Sequence, residues 1–405
     1  MKIAIWHNLP SGGGKRTLYS HIQILKEKGH YLKAWTTDCS SMDYLPLSNL
    51  ITEIRKPIKS EFDKLNRIKN PIQKEKAILK LINDHCKECV KEIESEKFEM
   101  IFANSCCITS MPFIGNFSKL PKIVYLGEPN RFLYEAIPEN IWQAHNYKFK
   151  NFRKILKDFL VNYSRRIRVQ NEINAAKSYN KILVNSLFSR ENLIRSYGID
   201  SNVCYLGIET EKFNSEETVK EPFVVGLGSI TFLKSVHKAI EIIGKIPKTE
   251  RPELKWVANF MDKYYLDELI NLANKLEVEF KVFVNISDDE LTTILSRAAI
   301  MIYTSRLEPF GLAPLEANAC GTYVAAIAEG GVRESIINGL NGTLINGYKI
   351  NEIADVVKLF VKDLNLARIK GDAARKFVRE KWNKQFMANN ILSEFEDILN
   401  FSKSN

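Results

Sequence analysis

Short apolar runs alternate with longer amphipathic stretches along the chain. The runs predict strands and the amphipathic stretches predict helices, and their alternation is the pattern of parallel α/β sheets. In the first half, strands are expected at 2–6, 31–37, 100–104, 122–126, 181–185 and 203–206. In the second half, they are expected at 223–228, 254–259, 280–284, 299–304 and 322–328. The predicted fold class is therefore α/β.

A polar, charged segment at 209–222 separates the two halves and ends in Pro222, directly before a strong apolar run. With 405 residues, the chain is long enough for two domains of ordinary size. We predict two Rossmann-like domains, at 1–212 and 213–385, and a C-terminal helix at 386–405.

Helical periodicity is clear in the lysine- and glutamate-rich segment 56–97. It predicts helices that project from the first sheet and present a solvated face. His85, Cys86 and Cys89 in this segment suggest zinc, but no second ligand pair lies at a suitable spacing, so thiols carried on a helix fit better. Farther on, Ser287 followed by Glu290 is a capping box that predicts a helix start.

The composition is 45% apolar and 26% charged, which is typical of soluble globular proteins. No run approaches the roughly 20 consecutive apolar residues that span a bilayer. The start of the chain, MKIAIWHNLPSGGG, lacks the design of a signal peptide. The seven cysteines are scattered, which favours reduced thiols over a disulfide framework. These features together predict a cytoplasmic protein.

The net charge of +10 indicates an anionic partner, and nucleotide-sugars, anionic lipids and nucleic acid all qualify. No recognised nucleic-acid-binding module accompanies the charge, so we expect no nucleic-acid partner.

A glycine-rich loop that includes Gly13 and Gly14 follows the first predicted strand and precedes a helix. Glycines let the backbone approach a ligand closely, and a helix N-terminus offers free N–H groups to an anion. Asp38 ends the second predicted strand, which would suit a dinucleotide, but the dinucleotide fingerprint needs a third glycine where Thr17 stands. The loop therefore predicts a ligand-facing turn without identifying the ligand, and a purely structural turn stays an alternative.

The most informative segment is 299–345, where a predicted strand leads through a loop with Glu308 into a helix with Glu316. Two carboxylates at this spacing can converge on one ligand, with the backbone amides of Phe310, Gly311 and Leu312 at the helix N-terminus between them. Glu316 lies in an apolar helix, where an unpaired carboxylate would be costly. A ligand with hydroxyls at both ends and phosphates between would fit.

With EPFGLAPLEANACG, and with EGGVRESI and NGLNGTLI behind it, the chain resembles the retaining family 4 glycosyltransferases. The resemblance implies the GT-B fold: two Rossmann-like domains with parallel sheets facing across a cleft, and a C-terminal helix that packs back on the N-terminal domain. It implies that Glu316 holds the donor ribose, that Glu308 contacts the transferred sugar, and that the amides of Phe310–Leu312 lie beside the sugar and its phosphate.

The resemblance extends over nearly the whole chain. It places Lys234, after Gly228, on the donor pyrophosphate, where a cation would neutralise the departing diphosphate. We also predict Gly13, Gly14, Gly228 and Ser229 on the donor side and Asn185 and Ser186 on the acceptor side.

Two positions depart from the family pattern. Ser229 stands where an arginine is usual, which removes a bidentate phosphate contact. Gly127 stands where many members have a histidine; Glu128 is the expected polar substitute near the reacting sugar, and Arg131 is placed on the acceptor side.

The chain contains no Asp-x-Asp sequence, with which metal-dependent glycosyltransferases hold divalent cations on the diphosphate. We therefore expect no metal and no cofactor, with Lys234 and helix dipoles in the role of the metal.

Residues 143–168 carry eight basic residues and one acid, with aromatic and aliphatic residues at helical spacing. Such a helix can lie on anionic lipid or receive a phosphorylated lipid acceptor, which would make the protein peripheral to the membrane. It can equally pack its apolar stripe on its own domain.

These observations predict a hexosyltransferase with a nucleotide-sugar donor and a glycan or lipid-linked acceptor, bound mainly by the C-terminal and N-terminal domains respectively. One alternative is a non-catalytic GT-B subunit that binds a nucleotide-sugar or a partner transferase. Another is a nicotinamide-dependent enzyme that uses the glycine loop and Asp38.

Overall fold

The structure is a computed structural model that describes residues 1–41, 44–135, 152–213, 218–346 and 349–403. The chain forms two compact units. Unit 1 contains Met1–Cys204 and Asn390–Asn405, and unit 2 contains Tyr205–Asn389. The chain thus leaves unit 1 after Cys204 and returns to it after Asn389, where the sequence analysis places these points after residues 212 and 385.

Unit 1 is built on a parallel sheet. Among its described residues, seven strands pair in the order β3-β2-β1-β4-β5-β6-β7. Their bounds are β1 Lys2–Asn8, β2 Tyr31–Thr37, β3 Thr52–Lys56, β4 Met100–Cys106, β5 Lys122–Tyr125, β6 Lys181–Val184 and β7 Asn202–Val203. The central strands are apolar and buried on both faces, as parallel sheets covered by helices require.

The helices of unit 1 are α1 Gly13–Glu27, α2 Lys59–Leu65, α3 Pro71–Ser95, α4 Arg131–Tyr134, α5 Phe152–Lys177 and α6 Leu187–Tyr197. Unit 2 then contributes α7 Val236–Gly244, α8 Lys263–Lys275, α9 Asp288–Arg297, α10 Leu312–Ala319, α11 Val332–Ser335, α12 Ile350–Lys362 and α13 Leu364–Lys381, before the last helix, α14 Lys384–Lys403. The predicted capping box is present: the Ser287 hydroxyl accepts from the Glu290 amide at the start of α9. No helix in the described ranges is long and apolar enough to cross a membrane.

Unit 2 also has a parallel sheet, with the order β10-β9-β8-β11-β12-β13 among its described residues. The bounds are β8 Glu221–Leu227, β9 Glu253–Ala258, β10 Phe280–Val284, β11 Ala298–Tyr303, β12 Val324–Ile327 and β13 Gly342–Ile345. Both sheets therefore have the doubly wound strand order of Rossmann-like domains, in which the order reverses beside the first strand. The predicted α/β class is confirmed.

The C-terminal helix returns to unit 1, as predicted. The ring of Phe395 packs edge-on against Phe102 in β4, at 5.1 Å between centroids. The Lys181 ammonium lies 2.6 Å from the Glu394 carboxylate.

Several predicted elements are corrected. Strands β3 and β13 are absent from the prediction, and the strand expected at 203–206 is only the two-residue β7. The region predicted to be solvated helices is α2 and α3, but one face of α3 is in the core, with Cys86 and Cys89 fully buried and the Trp6 indole donating to His85. The predicted linker ends inside β8, where Pro222 lies beside a register shift against β11 because proline cannot donate a ladder hydrogen bond.

Candidate functional site

The strand order of unit 2 reverses between β8 and β11, so the loops that follow these two strands lie side by side at the carboxyl edge of the sheet. Open parallel sheets bind their ligands in this position. The loop after β8 carries Gly228, Ser229 and Lys234, and the loop after β11 carries Glu308. The topology thus brings together residues that are 74 positions apart in sequence.

Lys234 and Glu308 form an ion pair at this edge. The Lys234 ammonium lies 2.5 Å from Oε2 of Glu308, and the Ser305 hydroxyl donates to the same oxygen at 2.7 Å. Each side chain of the pair is about a quarter exposed, at 24% and 22%. A charged pair that is held by neighbours yet reachable from solvent can rearrange around an anionic ligand.

Lys234 is fixed from two sides. Its backbone carbonyl accepts from the Thr304 hydroxyl at 3.2 Å, and its aliphatic stem runs past Gly228, where an added Cβ would lie 3.6 Å from the lysine side chain. The Gly228 carbonyl in turn accepts from the Trp256 indole at 2.8 Å. Ser229 is half-buried beside this glycine.

Strained backbone adjoins both members of the pair. Leu307, directly before Glu308, and Ser235, directly after Lys234, have positive φ of 48° and 50°. Left-handed backbone costs residues other than glycine of order 1–2 kcal/mol, and such strain is concentrated at functional sites.

The loop that carries Glu308 is supported by a second loop. Gly330 and Gly331 pack against the backbone of Glu308 and Pro309, and the Gly331 amide donates to the Glu308 carbonyl at 2.8 Å. The Arg306 guanidinium pairs with Glu329 at 2.5 Å. A side chain at Gly330 would collide with this backbone, so the glycine permits the close approach.

Helix α10 starts at the end of the Glu308 loop. Its N-cap is Gly311, whose φ of 91° is accessible to glycine, and no side chain caps the helix. The helix begins at Leu312 and therefore presents its first N–H groups where anions bind favourably. Phe310 is buried against Tyr205 and Trp382, at 6.2 and 5.5 Å between ring centroids, which anchors the turn.

Glu316 occupies the second turn of α10 and is only 4% exposed. Two residues later, Asn318 donates to the carbonyls of Thr322 and Asn341, so the helix is tied to the end of the sheet. The two glutamates therefore differ: Glu308 lies on a half-exposed loop and Glu316 inside a rigid helix.

Ser229 stands where the resemblance implies a phosphate-binding arginine, and two arginines that could take that place have other partners in the structure. Arg333 donates through Nε to the Gly330 carbonyl at 2.9 Å, and so belongs to the support of the Glu308 loop. Arg16 donates to the Tyr44 hydroxyl at 2.9 Å in unit 1.

In unit 1, the strand order reverses between β1 and β4, and the predicted glycine loop lies at that point. Gly13 and Gly14 open α1, and Gly12 is its N-cap without a side-chain hydrogen bond. Beneath them, the Thr37 hydroxyl donates to Asn8 at 2.7 Å, which ties β1 to β2.

A buried polar cluster lies next to this loop. Nε2 of His7 donates to Glu53 at 2.9 Å, and Arg55 lies 3.5 Å from the same carboxylate. Burial lowers the pKa of His7 to about 4; burial also lowers the pKa of Lys15, whose ammonium has no hydrogen-bond partner among the described residues. Burial by itself would raise the pKa of Glu53, but its hydrogen bond to His7 and the nearby cations lower it overall.

The predicted acceptor-side residues follow β5 and β6. Arg131 lies between Glu128 and Glu135, at 3.5 and 2.7 Å. Asn185 accepts from the Ser189 hydroxyl at 2.8 Å, and Ser186 is the N-cap of α6.

Gly127 and Asn185 are neighbours, since an added Cβ on the glycine would lie 3.7 Å from the amide nitrogen. The side chains of Arg131, Asn185 and Ser186 thus have structural partners, whatever ligand role they also take.

Two other predicted features have structural explanations. Asp38 accepts from the amides of Ile58 and Lys59 through Oδ1 at the start of α2, which gives this carboxylate a structural role. Within the described ranges, no group of three or more His, Cys, Asp or Glu side chains is arranged to hold a metal ion.

A hollow of about 520 Å³ opens in unit 1 between residues 26–32 and 48–53. It lies at the amino ends of β2 and β3, the edge of the sheet opposite to the glycine loop, where ligands of such sheets are not expected.

Comparisons with known proteins agree with the two sheets. Residues 207–377 match the family model of the glycosyl transferases group 1. The D-inositol 3-phosphate glycosyltransferase of Mycobacterium tuberculosis (strain ATCC 25618 / H37Rv) is 26% identical over 211 residues. That match covers 47% of this chain and 43% of the relative, so the chain spans less than half the length of the curated relative it matches.

Solved structures match nearly the whole chain. Anabaena Alr3699/HepE in complex with UDP-glucose superposes with a TM-score of 0.72 at 17% identity, covering 98% of this chain and 100% of that one. Sucrose-phosphate synthase from Thermosynechococcus elongatus gives a TM-score of 0.73 at 17% identity, covering 98% and 99%. The chain has the GT-B fold.

Within this GT-B protein, the range matched by the family model contains the predicted residues of unit 2. These are Gly228, Ser229, Lys234, Glu308, Phe310, Gly311, Leu312 and Glu316. The predicted residues of unit 1 lie outside that range.

Three features of the candidate site in unit 2 were not predicted from the sequence: the Ser305 hydroxyl, the Arg306–Glu329 pair and the close packing of Gly330. The adjacent glycines of EGGVRESI were an available signal, because paired glycines often mark a close backbone approach. Nothing in the sequence indicates which backbone they approach.

Proposed function

We propose that this protein is a retaining family 4 glycosyltransferase that moves a hexose from a nucleoside-diphosphate sugar to a glycan or lipid-linked acceptor. The observation that carries the proposal is the Lys234–Glu308 pair at the switch point of the unit 2 sheet, beside the uncapped start of α10. A cation, free N–H groups and a carboxylate in one place suit a sugar linked to a diphosphate. The matched family and the relatives are themselves glycosyltransferases.

In the proposed mechanism, the bond between the anomeric carbon and the donor phosphate oxygen breaks while the acceptor hydroxyl attacks on the same face of the sugar. The acceptor proton passes to the departing phosphate oxygen. Lys234 and the first amides of α10 stabilise the charge that develops on the diphosphate, so no metal is required. Glu308 orients the sugar, Glu316 holds the ribose, and Glu128 supplies a polar group near the reacting sugar.

In the structure, the Lys234 ammonium pairs with the Glu308 carboxylate. Because the diphosphate competes for the same ammonium, we expect donor binding to replace this ion pair and to release Glu308 toward the sugar hydroxyls. The proposal places the enzyme in the cytoplasm, peripheral to a membrane.

The first experiment identifies the donor. Thermal unfolding is measured with UDP, GDP, UDP-glucose and GDP-mannose, since a ligand that binds only the native state raises its apparent stability. We expect one nucleotide series to raise the Tm, and a panel without any shift would count against the proposal.

The second experiment assigns the site. Lys234→Ala is expected to lower kcat by about 10²–10³-fold, the range for loss of one group that stabilises developing charge. Glu308→Gln, which keeps the shape, is expected to lower kcat with little change in donor affinity. The matched controls are Lys248→Ala and Glu277→Gln, which remove an exposed ion pair of unit 2. Near-normal transfer by both site variants would refute the assignment.

A non-catalytic subunit that binds the donor is the second candidate, because Ser229 and Gly127 replace an arginine and a histidine that are usual in the family. Release of nucleotide from the donor by the purified wild-type protein, lost in Lys234→Ala, would exclude it. Donor binding without any turnover in the presence of acceptor candidates would favour it.

A further inference from the structure

Helix α5 of unit 1 has a packed side and an exposed side. On the packed side, Ser164, Arg168 and Glu172 are buried, and Arg168 pairs with Glu75 of α3. The later turns of α5 also place Ala175 and Ala176 in the hydrophobic core, so the helix is held on its own unit by polar and apolar contacts. An amphipathic helix ordinarily turns its apolar residues toward the core. Large apolar residues on the solvent side of α5 would therefore need a separate explanation.

The first three turns of α5 present large apolar side chains to solvent. Ile155, Leu156, Phe159 and Tyr163 are 39%, 49%, 64% and 47% exposed. Their spacing of three and four residues places them on one face, which we call the α5 stripe. Contiguous exposed apolar surface on a protein marks an interaction site more often than scattered single residues do.

The stripe lies in a basic surrounding. Residues 152–177 contain seven basic and two acidic residues, and one of the two acids is the buried Glu172. Arg153, Lys157 and Arg166 are exposed on the same turns as the stripe. An acidic protein partner or an anionic bilayer would satisfy the charge, but a row of aliphatic and aromatic side chains ringed by cations suits an interface with an apolar interior and an anionic surface.

We propose that the α5 stripe docks this protein on an anionic lipid bilayer, with α5 lying in the plane of the headgroups. The apolar side chains enter the boundary of the acyl region, and the cations bind lipid phosphates. This binding does not depend on the proposed transfer activity, so it can be tested separately. The predicted basic segment extended over 143–168, of which 143–151 lie outside the described residues and form no part of the proposal.

The test is co-sedimentation of the full-length protein with vesicles of phosphatidylcholine alone or with roughly 30% phosphatidylglycerol. We expect binding to the anionic vesicles and little to the neutral ones. Each cation near the surface contributes about fivefold at low ionic strength, so Arg153→Gln/Arg166→Gln is expected to weaken binding about twentyfold, and added salt to weaken wild-type binding.

The apolar contribution is tested with Leu156→Ser/Phe159→Ser, for which we expect at least about a tenfold loss of vesicle binding. The matched control is Leu359→Ser/Ile369→Ser, which removes two exposed aliphatic side chains from helices of unit 2. All variants change exposed positions, so we expect them to fold. An unchanged thermal unfolding curve verifies this for each variant.

Equal binding of the α5 variant and the control would overturn the proposal, as would equal binding to neutral and anionic vesicles. A concentration-dependent dimer that is lost in Leu156→Ser/Phe159→Ser, without wild-type vesicle binding, would assign the stripe to a second copy of the chain instead. Hydrolysis of soluble donor is measured in parallel. If neither the wild type nor any variant hydrolyses the donor, the result counts against the proposed function but does not affect the vesicle result.

Discussion

At the carboxyl edge of the unit 2 sheet, Lys234 and Glu308 meet with about a quarter of each side chain exposed, whereas near the corresponding edge of unit 1, His7 and Glu53 meet in full burial. Both pairs lie beside the first strand of a doubly wound sheet and close to a glycine-rich turn. The same topology therefore presents charge to solvent in one unit and encloses it in the other.

The strand order therefore determines where charged side chains meet, and their burial determines whether they can respond to a ligand. The Lys234–Glu308 pair has about a quarter of each side chain exposed, so solvent screens it more than a fully buried pair and its partners can exchange more readily. His7 is neutral at neutral pH, because burial lowers its pKa to about 4, so its contact with Glu53 is a buried hydrogen bond to a carboxylate and serves the structure around it. The pair of unit 2 is thus reachable from solvent, whereas His7 and Glu53 of unit 1 are enclosed and bonded to each other.

The largest effect is expected at Gly330, which packs against the loop of Glu308. Gly330→Ala would place a methyl group against the Glu308 backbone, within 2.7 Å of its amide nitrogen, and so displace the loop that carries the ion pair. We expect proposed transfer to fall at least about a hundredfold, since misplacement by about 1 Å can have that effect. We also expect a loss of about 2–4 kcal/mol of unfolding free energy, measured in urea, from collision and backbone strain.

Gly339→Ala is the matched control. Gly339 also has a positive φ, 80° against 70° for Gly330, but an added Cβ there would meet nothing within 4 Å. It is therefore expected to lose only about 1–2 kcal/mol, from strain, with normal activity. Equal effects of the two substitutions would show that strain alone, and not contact with the Glu308 loop, explains the role of Gly330.

Glu316 is a buried carboxylate in the same unit as the partly exposed Lys234–Glu308 pair. If it holds a donor hydroxyl, Glu316→Gln removes a charged hydrogen bond and should weaken donor binding about tenfold or more, with kcat within a few-fold of wild type. Isothermal titration with the donor nucleotide measures this. Glu352→Gln, at an exposed position paired with Lys349, is the control. Unchanged affinity with a lost kcat would instead place Glu316 at the reacting centre.

The fold was predictable to the extent that each strand is apolar. The central strands of both sheets read as buried runs, but β3 has the sequence TEIRK and lies at the edge of its sheet, so it lacks that signal. Helix α3 was expected to be solvated because its lysines and glutamates mask a buried face with Cys86 and Cys89. The composition of a helix with both charged and buried residues does not show that one of its faces lies in the core.

The candidate site was predictable where its residues are close in sequence. Glu308, Gly311 and Glu316 belong to one motif that spans a strand end, a turn and a helix start. The contact of Lys234 with Glu308 requires the strand order, and that of His7 with Glu53 crosses 46 positions between strands that are not neighbours. Such contacts depend on tertiary packing, which a single sequence does not encode in any local pattern.

Burial of histidines makes unit 1 sensitive to acid. Burial lowers the pKa of His7 and His85 to about 4 and that of His21 to about 3. Each group binds a proton in the unfolded chain near 6.5 but not in the folded one, so stability falls below about pH 6.5 by about 1.4 kcal/mol per pH unit per histidine until the folded pKa is reached. Glu172, whose pKa burial raises to about 7, acts in the opposite direction between about 7 and 4.5.

His21→Leu isolates one of these groups. The ring packs against Phe102 and Tyr125, and neither ring nitrogen has a hydrogen-bond partner among the described residues, so leucine leaves no partner unsatisfied there. We expect the slope of unfolding free energy between about pH 5 and pH 6 to decrease by about 1.4 kcal/mol per pH unit, measured in urea. An unchanged slope would mean that His21 titrates in the folded protein as it does in the unfolded chain.

Unit 2 has its own buried cation, and it acts in a different pH range. Lys220 donates to the Ser296 carbonyl and the Thr322 hydroxyl at 2.7 and 2.8 Å, and burial lowers its pKa to about 7. The folded state then binds fewer protons than the unfolded state between about pH 7 and 10.5, so this one group makes stability rise with pH, by at most about 1.4 kcal/mol per unit. Lys220→Met should remove that rise between about pH 8 and pH 9, whereas Lys248→Met, at an exposed position, should keep it. A wild-type slope in Lys220→Met would show that the ammonium stays charged in the fold, and the pH dependence of unit 2 would then need another group.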